Sequence, residues 1–300
     1  MDSSELGQAI EADIRGAVGS RFCADPREVQ ALRAGGTGKL SSGQAQVFCK
    51  LVSTSESDRL DAEADGLAAI AATDTFHSPA VIARGEAADF AWLVLEWLDL
   101  RPLSEKGSAQ RAAELLAEMH SQKHAGRQYG WHRDNYIGAT PQDNTPGDNW
   151  SRFFALERLR PQFERAAANG HRGDLQKDGQ RVVERLPALF LDQRPRPSLL
   201  HGDLWHGNIG ALADGAPVIF DPACYHGDRE ADIAMSELFG GLPHAFYAGY
   251  RRQLPLSADY ETRKQLYNLY HILNHLNLFG RGYLSQACRM ASQLRQALGR

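Results

Sequence analysis

The sequence is short of the features that mark several whole classes of protein. Its four cysteines, Cys23, Cys49, Cys224 and Cys288, stand far apart, with no CxxC pair among its 300 residues. That argues against a disulfide-stapled scaffold and is expected of reduced thiols in a cytoplasmic protein. The eleven histidines include no HExxH or similar spacing, so no zinc site is expected. No run of Lys and Arg could follow a phosphate backbone, and the formal net charge is −4, so nucleic acid is not an expected partner. The most apolar window, Phe90 to Leu100, is broken by Glu96 and Asp99 and is too short to cross a bilayer. The opening MDSSELGQAIEADIRGAV lacks a basic stretch followed by an apolar one, so neither secretion nor membrane association is expected. With 43% hydrophobic and 23% charged residues, the remaining class is a soluble enzyme, long enough for two packed lobes.

The chain changes texture along its length. Leu6, Ile10, Ile14 and Val18 predict a helix over residues 4–19. Val29 to Leu32 reads as a strand, Gly35-Gly36-Thr37-Gly38 as a glycine turn, and Gln44 to Val52 as a second strand. A helix over Leu60 to Ala72 and strands at Val81-Ile82 and Phe90 to Leu98 follow. From Ser108 onward the pattern is mostly helical: 109–124, 150–168, 180–191, 231–239 and 263–278, with loop-rich stretches at 126–149 and 192–197. The expected architecture is α+β, with a strand-rich lobe over residues 1–97 and a helical lobe over 98–300.

The most informative stretch is LLHGDLWHGNIG, residues 199–210. His201-Gly202-Asp203 is followed by Asn208 five positions on, then by the apolar strand Pro217 to Phe220, which ends on Asp221. This spacing has the logic of a kinase catalytic loop followed by a metal-binding acid. Asp203 would accept a proton from an attacking hydroxyl. Asn208 would lend a neutral oxygen to a magnesium ion, and Asp221 would hold magnesium against phosphates. His201 would brace the loop. An HGD tripeptide alone is a weak signal, and Asp-Pro at a strand end is often only a turn. The full set in this order is far more restrictive.

The upstream half should then hold the phosphates of ATP. Lys50, in VFCKL, is the candidate phosphate lysine, with Glu63 on the next helix as its partner; Asp61 competes, but the alanine-lined stripe favours Glu63. Gly35, Gly36 and Gly38 would let backbone N–H groups approach the nucleotide. Glu96, Trp97 and Leu98 would connect the lobes and present their backbone to adenine. Singly these signals are weak, since most strand lysines are merely solvated and GGTG is a common turn.

LLHGDLWHGN, followed by FDPACYHGDREADIAM, resembles the fructosamine kinase (ketosamine 3-kinase) family, which has the bilobal protein-kinase-like fold. Further matches are Trp205, the GLAAIAAT helix, YGWHRDNYIGATPQDN, FFALERLRPQ, FGGLP and NHLNLFGRGY, so the resemblance spans nearly the whole chain. It implies transfer of the ATP γ-phosphoryl group to the 3-hydroxyl of a ketosamine, with ATP and Mg²⁺ required, leading to deglycation of an amine or protein. By the same resemblance, Asp203 is the base, Asn208 and Asp221 the magnesium ligands, Lys50 the phosphate lysine and Glu63 its partner. Some relatives carry a cysteine in the glycine-rich loop; GGTGKLSSG has none, so a redox switch of that kind is not expected.

For the substrate, Trp205 is read equally as an apolar floor under the sugar or as loop packing. Asn135, Gln142 and Asn144 offer amide hydrogen bonds in a polar loop, against a plain turn role. His201 reads as a structural brace of the catalytic loop, and Arg229, Glu230 and Asp232 as a buried ion network that fixes the loop after Asp221. Two rival functions remain at this level: an aminoglycoside, choline or homoserine kinase, which should show exposed acids or an aromatic cage, and a nucleotide-binding module without catalysis, which should lack one of Lys50, Asp203, Asn208 or Asp221.

Overall fold

A computed structural model describes residues 2–19, 21–105, 107–123, 126 and 128–299. The chain opens with two helices, α1 (Ser3–Val18) and α2 (Pro26–Gly35), followed by the hairpin β1 (Thr37–Ser42) and β2 (Ala45–Ser53), helix α3 (Ser57–Ala71), and strands β3 (Val81–Ala87) and β4 (Phe90–Glu96). The strands form one antiparallel sheet in the order β1-β2-β4-β3.

Period-2 alternation decides which side chains face which helices. Cys49 and Leu51 of β2, with Trp92 and Val94 of β4, bury against Leu6, Ile10 and Ile14 of α1 and Val29 and Leu32 of α2. Leu93 and Leu95 face the opposite way and pack on Leu60, Ala64 and Leu67 of α3. Lys50, between Cys49 and Leu51, therefore lies on the α3 side. Burial pushes the Cys49 thiol up to about 12, which makes it an inert core residue.

The strand expected over Val29 to Leu32 is instead part of α2. The Asp25 side chain caps the helix by accepting from the Arg27 N–H, Pro26 occupies its first turn, and Val29 and Leu32 are its buried residues. The glycine pair consequently ends a helix: Gly36, left-handed at φ 74°, returns its N–H to the Leu32 carbonyl at 2.8 Å. The hairpin itself turns at Ser42-Gly43-Gln44, with Gly43 at φ 62°.

The second lobe contains α4 (Ser108–Ser121), the short hairpin β5 (Asn135–Ile137) and β6 (Thr140–Gln142), and α5 (Trp150–Phe153), which runs through a π-turn at Phe154–Leu159 into α6 (Arg160–Ala168). Then follow α7 (Asp174–Arg185), β7 (Ser198–Leu200), β8 (Ile209–Ala211), β9 (Pro217–Ile219), β10 (Tyr225–Gly227), α8 (Glu230–Leu238), α9 (His244–Gln253), α10 (Tyr260–Phe279) and α11 (Leu284–Leu298). The expected helix end at His124 lies outside the described residues; α4 ends at Ser121. Helix α10 is buried through most of its length, with Leu266, Leu269, Leu273 and Leu276 in the main core. β7 pairs with β10 and β8 with β9, both antiparallel. These two ladders set the segment 201–208 beside residues 220–224. No helix among the described residues is long and apolar enough to cross a membrane.

Candidate active site

The β7–β8 connection, residues 201–208, is tied down at both ends. The Ala223 N–H donates to the His201 carbonyl at 2.8 Å and the Phe220 N–H to the Asn208 carbonyl at 3.1 Å. His201 is fully buried. Its Nδ1 accepts from the Asp203 N–H at 3.3 Å, so Nε2 carries the proton and donates to the Phe220 carbonyl at 2.9 Å. Burial keeps this imidazole neutral by lowering its pKa. Gly202 has φ 82°, and a Cβ there would overlap the Ala223 carbonyl oxygen, so only glycine fits.

Asp232, at the start of α8, is the anchor beneath the loop. Its Oδ2 accepts from the His201 N–H at 2.8 Å and its Oδ1 from the Gly202 N–H at 2.9 Å, and His120 Nε2 lies 3.2 Å from Oδ2. Burial alone would raise this carboxyl, but the bonds from His120 and the loop amides hold it below the usual range. His120 Nδ1 accepts in turn from the Tyr250 hydroxyl at 2.7 Å, which accepts from Arg229 at 3.2 Å. Arg229 and Asp232 are thus joined through Tyr250 and His120 rather than in direct contact. Glu230 takes no part: it pairs with Arg263 at 2.9 Å, with both side chains buried. The expected network is therefore two separate ties, because successive positions on a helix start face different neighbours.

Asp203, Asn208 and Asp221 line one cavity of about 810 Å³, together with Lys50 and Glu63 from the first lobe. Lys50 Nζ lies 2.7 and 2.8 Å from the two carboxylate oxygens of Glu63, and 2.6 Å from Asp221. Burial would lower the Lys50 pKa, but the two carboxylates raise it, so the ammonium is charged. Asp61, the competing partner, pairs with Arg84 at 2.6 Å. Burial, with the charge of Asp221 adding to it, pushes Asp203 up to about 7, against the Asn208 amide that holds it down. Asn208 Nδ2 donates to the Asp203 carbonyl at 2.9 Å and to its Oδ2 at 3.2 Å. That leaves the amide oxygen as its acceptor. A neutral amide oxygen and the carboxylate of Asp221 are hard oxygen donors of the kind magnesium takes, usually few per site and completed by water and phosphate. Among the described residues no three His, Cys, Asp or Glu side chains converge as a denser metal site.

Gly35, Gly36 and Trp205 line the same cavity; Gly38 does not, being paired with Cys49 inside the sheet. Glu96, Trp97 and Leu98 lie outside its lining. The Glu96 N–H donates to the Ala80 carbonyl at 2.9 Å, and Trp97 carries Lys39 over its ring at 5.5 Å. The amides expected to meet substrate are a correction. Gln142 and Asn144 are 2% and 1% exposed, outside the lining, and both donate to Asn135 Oδ1, at 2.7 and 2.9 Å. Asn135 does line the cavity, but its own Nδ2 donates to the Cys224 carbonyl at 2.7 Å. Buried amides with such partners brace the segment after Asp221.

One set of contacts was not foreseen. Helix α3, which carries Glu63, is pinned to the second lobe by two acids seven positions apart. Asp65 accepts from Trp131 Nε1 at 2.7 Å and lies 3.0 Å from His132 Nε2; Asp58 accepts from Arg133 and from the Tyr136 hydroxyl. Two acids on nearly one helix face, upstream of a Trp-His-Arg run, were the available signal.

Against known proteins, the fructosamine kinase model matches residues 8–297. The chain belongs to the fructosamine kinase family. Membership makes it a phosphotransferase acting on an alcohol group, and ATP use is implied with it. It is 46% identical to a Synechocystis protein named as a ketoamine kinase, over 85% of this chain and 84% of that one. It is 38% identical to the chloroplastic protein-ribulosamine 3-kinase of Arabidopsis thaliana, over 76% and 69%. Among solved structures, a Haemophilus somnus protein named for fructosamine-3-kinase superposes with a TM-score of 0.85 at 28% identity, covering 98% and 99% of the two chains. The aminoglycoside phosphotransferase APH(4)-Ia, at 13% identity and TM-score 0.59 over 87% and 90%, shares the protein-kinase-like fold alone.

Proposed function

We propose that this kinase transfers the γ-phosphoryl group of ATP to the 3-hydroxyl of ketosamines, with residues 1–97 holding the nucleotide and residues 98–300 the acceptor. The observation that carries the reading is the convergence of Asp203, Asn208, Asp221 and the Lys50–Glu63 pair on one cavity, in a chain of this family. Lys50, held extended by Glu63, would meet the α- and β-phosphates, and the backbone at Gly35 and Gly36 would approach them from above. Asn208 Oδ1 and the Asp221 carboxylate would hold magnesium, which supplies neutralisation of the phosphate charge.

Asp203 takes the proton of the attacking 3-hydroxyl as the oxygen–phosphorus bond forms and the bond to the β-phosphate oxygen breaks, releasing ADP. A carboxylate whose proton affinity is raised by burial suits this role, because the base then matches the working pH. Trp205, at the cavity wall, would lie under the sugar carbons. Lys50 touches both Glu63 and Asp221, and its contact with Asp221 would have to open for Lys50 to meet phosphate and Asp221 to hold magnesium. Four unpaired cysteines support a cytoplasmic setting.

The test follows from carbonyl chemistry. In a ketosamine 3-phosphate, enolisation at carbons 1 and 2 allows elimination of phosphate from carbon 3, and hydrolysis of the remaining carbon–nitrogen link frees the amine. With ATP, magnesium and a ketosamine of lysine, ADP should form first; lysine and inorganic phosphate should follow after a lag and continue once the enzyme is removed. A stable phosphorylated product, or lysine release that needs the enzyme throughout, would refute the assignment while leaving the kinase intact.

A further inference from the structure

A second cavity, of about 890 Å³, lies between the α6–α7 connection and the α10–α11 turn. Its lining is mixed: Leu276, Leu278, Phe279 and Leu284 stand beside Arg172 and Arg281. Leu278 and Phe279 are 37% and 68% exposed, two of the few large apolar side chains so open to solvent. Both arginines are exposed, and neither guanidinium makes a hydrogen bond or ion pair with other described residues. The acid in this groove, Asp174, faces Lys177 at 3.6 Å. The groove is therefore cationic on a protein whose net charge is −4.

It adjoins the catalytic cavity along two lines. Gly138 lines the catalytic cavity, and a Cβ built on it would lie 3.3 Å from Leu278 Cδ1, so a residue of each lining meets there. A chain of rings also connects them: Trp205 to Phe239 at 6.0 Å, Phe239 to His275 at 4.7 Å, and His275 to Phe279 at 5.3 Å. An adduct whose sugar lies at Trp205 must send its amine substituent out of the cavity, and this wall leads to the groove.

Resting on the ketosamine reading, we infer that the groove holds the polypeptide that carries the adduct, and that Arg172 and Arg281 select chains with carboxylates flanking the modified lysine. An extended lysine side chain of about 6 Å carries the peptide backbone out of the sugar site, and each residue beyond it adds up to about 3.5 Å along the wall toward Phe279. There Leu278 and Phe279 can cover side chains while the two guanidinium groups meet acids. A lone small ketosamine would leave the groove empty, so its turnover is the internal reference.

The experiment measures kcat/KM by ADP release for three acceptors: a free ketosamine of lysine, and two peptides bearing the same adduct between glutamates or between lysines. The acidic peptide should be preferred over the basic one by about tenfold at low salt, with the preference shrinking as salt is added. In R172E/R281E the ratio of acidic-peptide to free-ketosamine kcat/KM should fall by about tenfold, and in R172K/R281K it should persist. Equal use of the two peptides, or a ratio that survives the charge reversal, overturns the inference while the free ketosamine still reports a ketosamine kinase. No ADP from the free ketosamine in the unmodified enzyme overturns the substrate reading, and this inference with it.

Discussion

The buried carboxylate beneath the catalytic loop gives the sharpest prediction. In Asp232→Asn one acceptor oxygen becomes an NH₂ group of the same size. Whichever way the amide turns, it faces a buried N–H: that of Gly202 on one side, or those of His201 and His120 on the other. An orphaned buried donor costs about 1–3 kcal/mol. The bonds that survive lose the charge that made them strong, roughly halving their worth. Together this is a loss of about 3 kcal/mol, or roughly 6 °C in Tm at about 2 °C per kcal/mol for a long chain. The same substitution lets the backbone on either side of Asp203 shift, so kcat should fall at least about tenfold, since reacting atoms tolerate little misplacement. KM for ATP should change little, because Lys50 and Glu63 sit on the other lobe. Thermal unfolding and ADP release, with the exposed Asp174→Asn as control, check both. A Tm within about 1 °C of the control would mean that Asp232 does not anchor the loop.

Other substitutions follow from the same site. Asp203→Asn keeps shape but removes the proton acceptor, so turnover should drop by about 10²–10⁴ with nucleotide binding nearly intact by calorimetry. Lys50→Ala should cut kcat/KM for ATP strongly and Glu63→Ala more mildly, since Glu63 acts only through Lys50; equal effects in steady-state kinetics would contradict that order. Stability should also respond to acid. His120, His201 and His271 are buried with lowered pKa values, that of His271 to about 3, chiefly through burial. The unfolded chain therefore binds more protons below about pH 6.5. Each such group withdraws about 1.4 kcal/mol per pH unit as pH falls from there toward its folded value. Asp203 and Asp228, raised to about 7 and about 6 mainly by burial, act in the opposite sense, so the informative measurement is comparative. His271→Asn should lose less stability than the parent between pH 6.5 and pH 5.5 in urea titrations, and parallel curves would refute the assignment.

The convergence of Asp203, Asn208 and Asp221 on one cavity was legible in sequence because its logic is local. Asp203, Asn208 and Asp221 belong to one loop and the strand after it, where type and spacing decide geometry. Lys50 and Glu63, thirteen positions apart, were legible because strand alternation and one helix turn suffice to bring them together. Val29 to Leu32 misled because three apolar residues among four suit a strand or a helix equally; the deciding signals were Asp25 and Pro26, an N-cap and a first-turn proline. What only the tertiary structure decided are the partners of buried polar groups. His120 meets Asp232 across 112 positions, Asp65 meets Trp131 across 66, and Lys50 meets Asp221 across 171. Gln142 and Asn144 read as substrate amides until packing turned them inward onto Asn135. A polar side chain in sequence states only what it can bond; burial decides what it must bond, because water is no longer there to satisfy it.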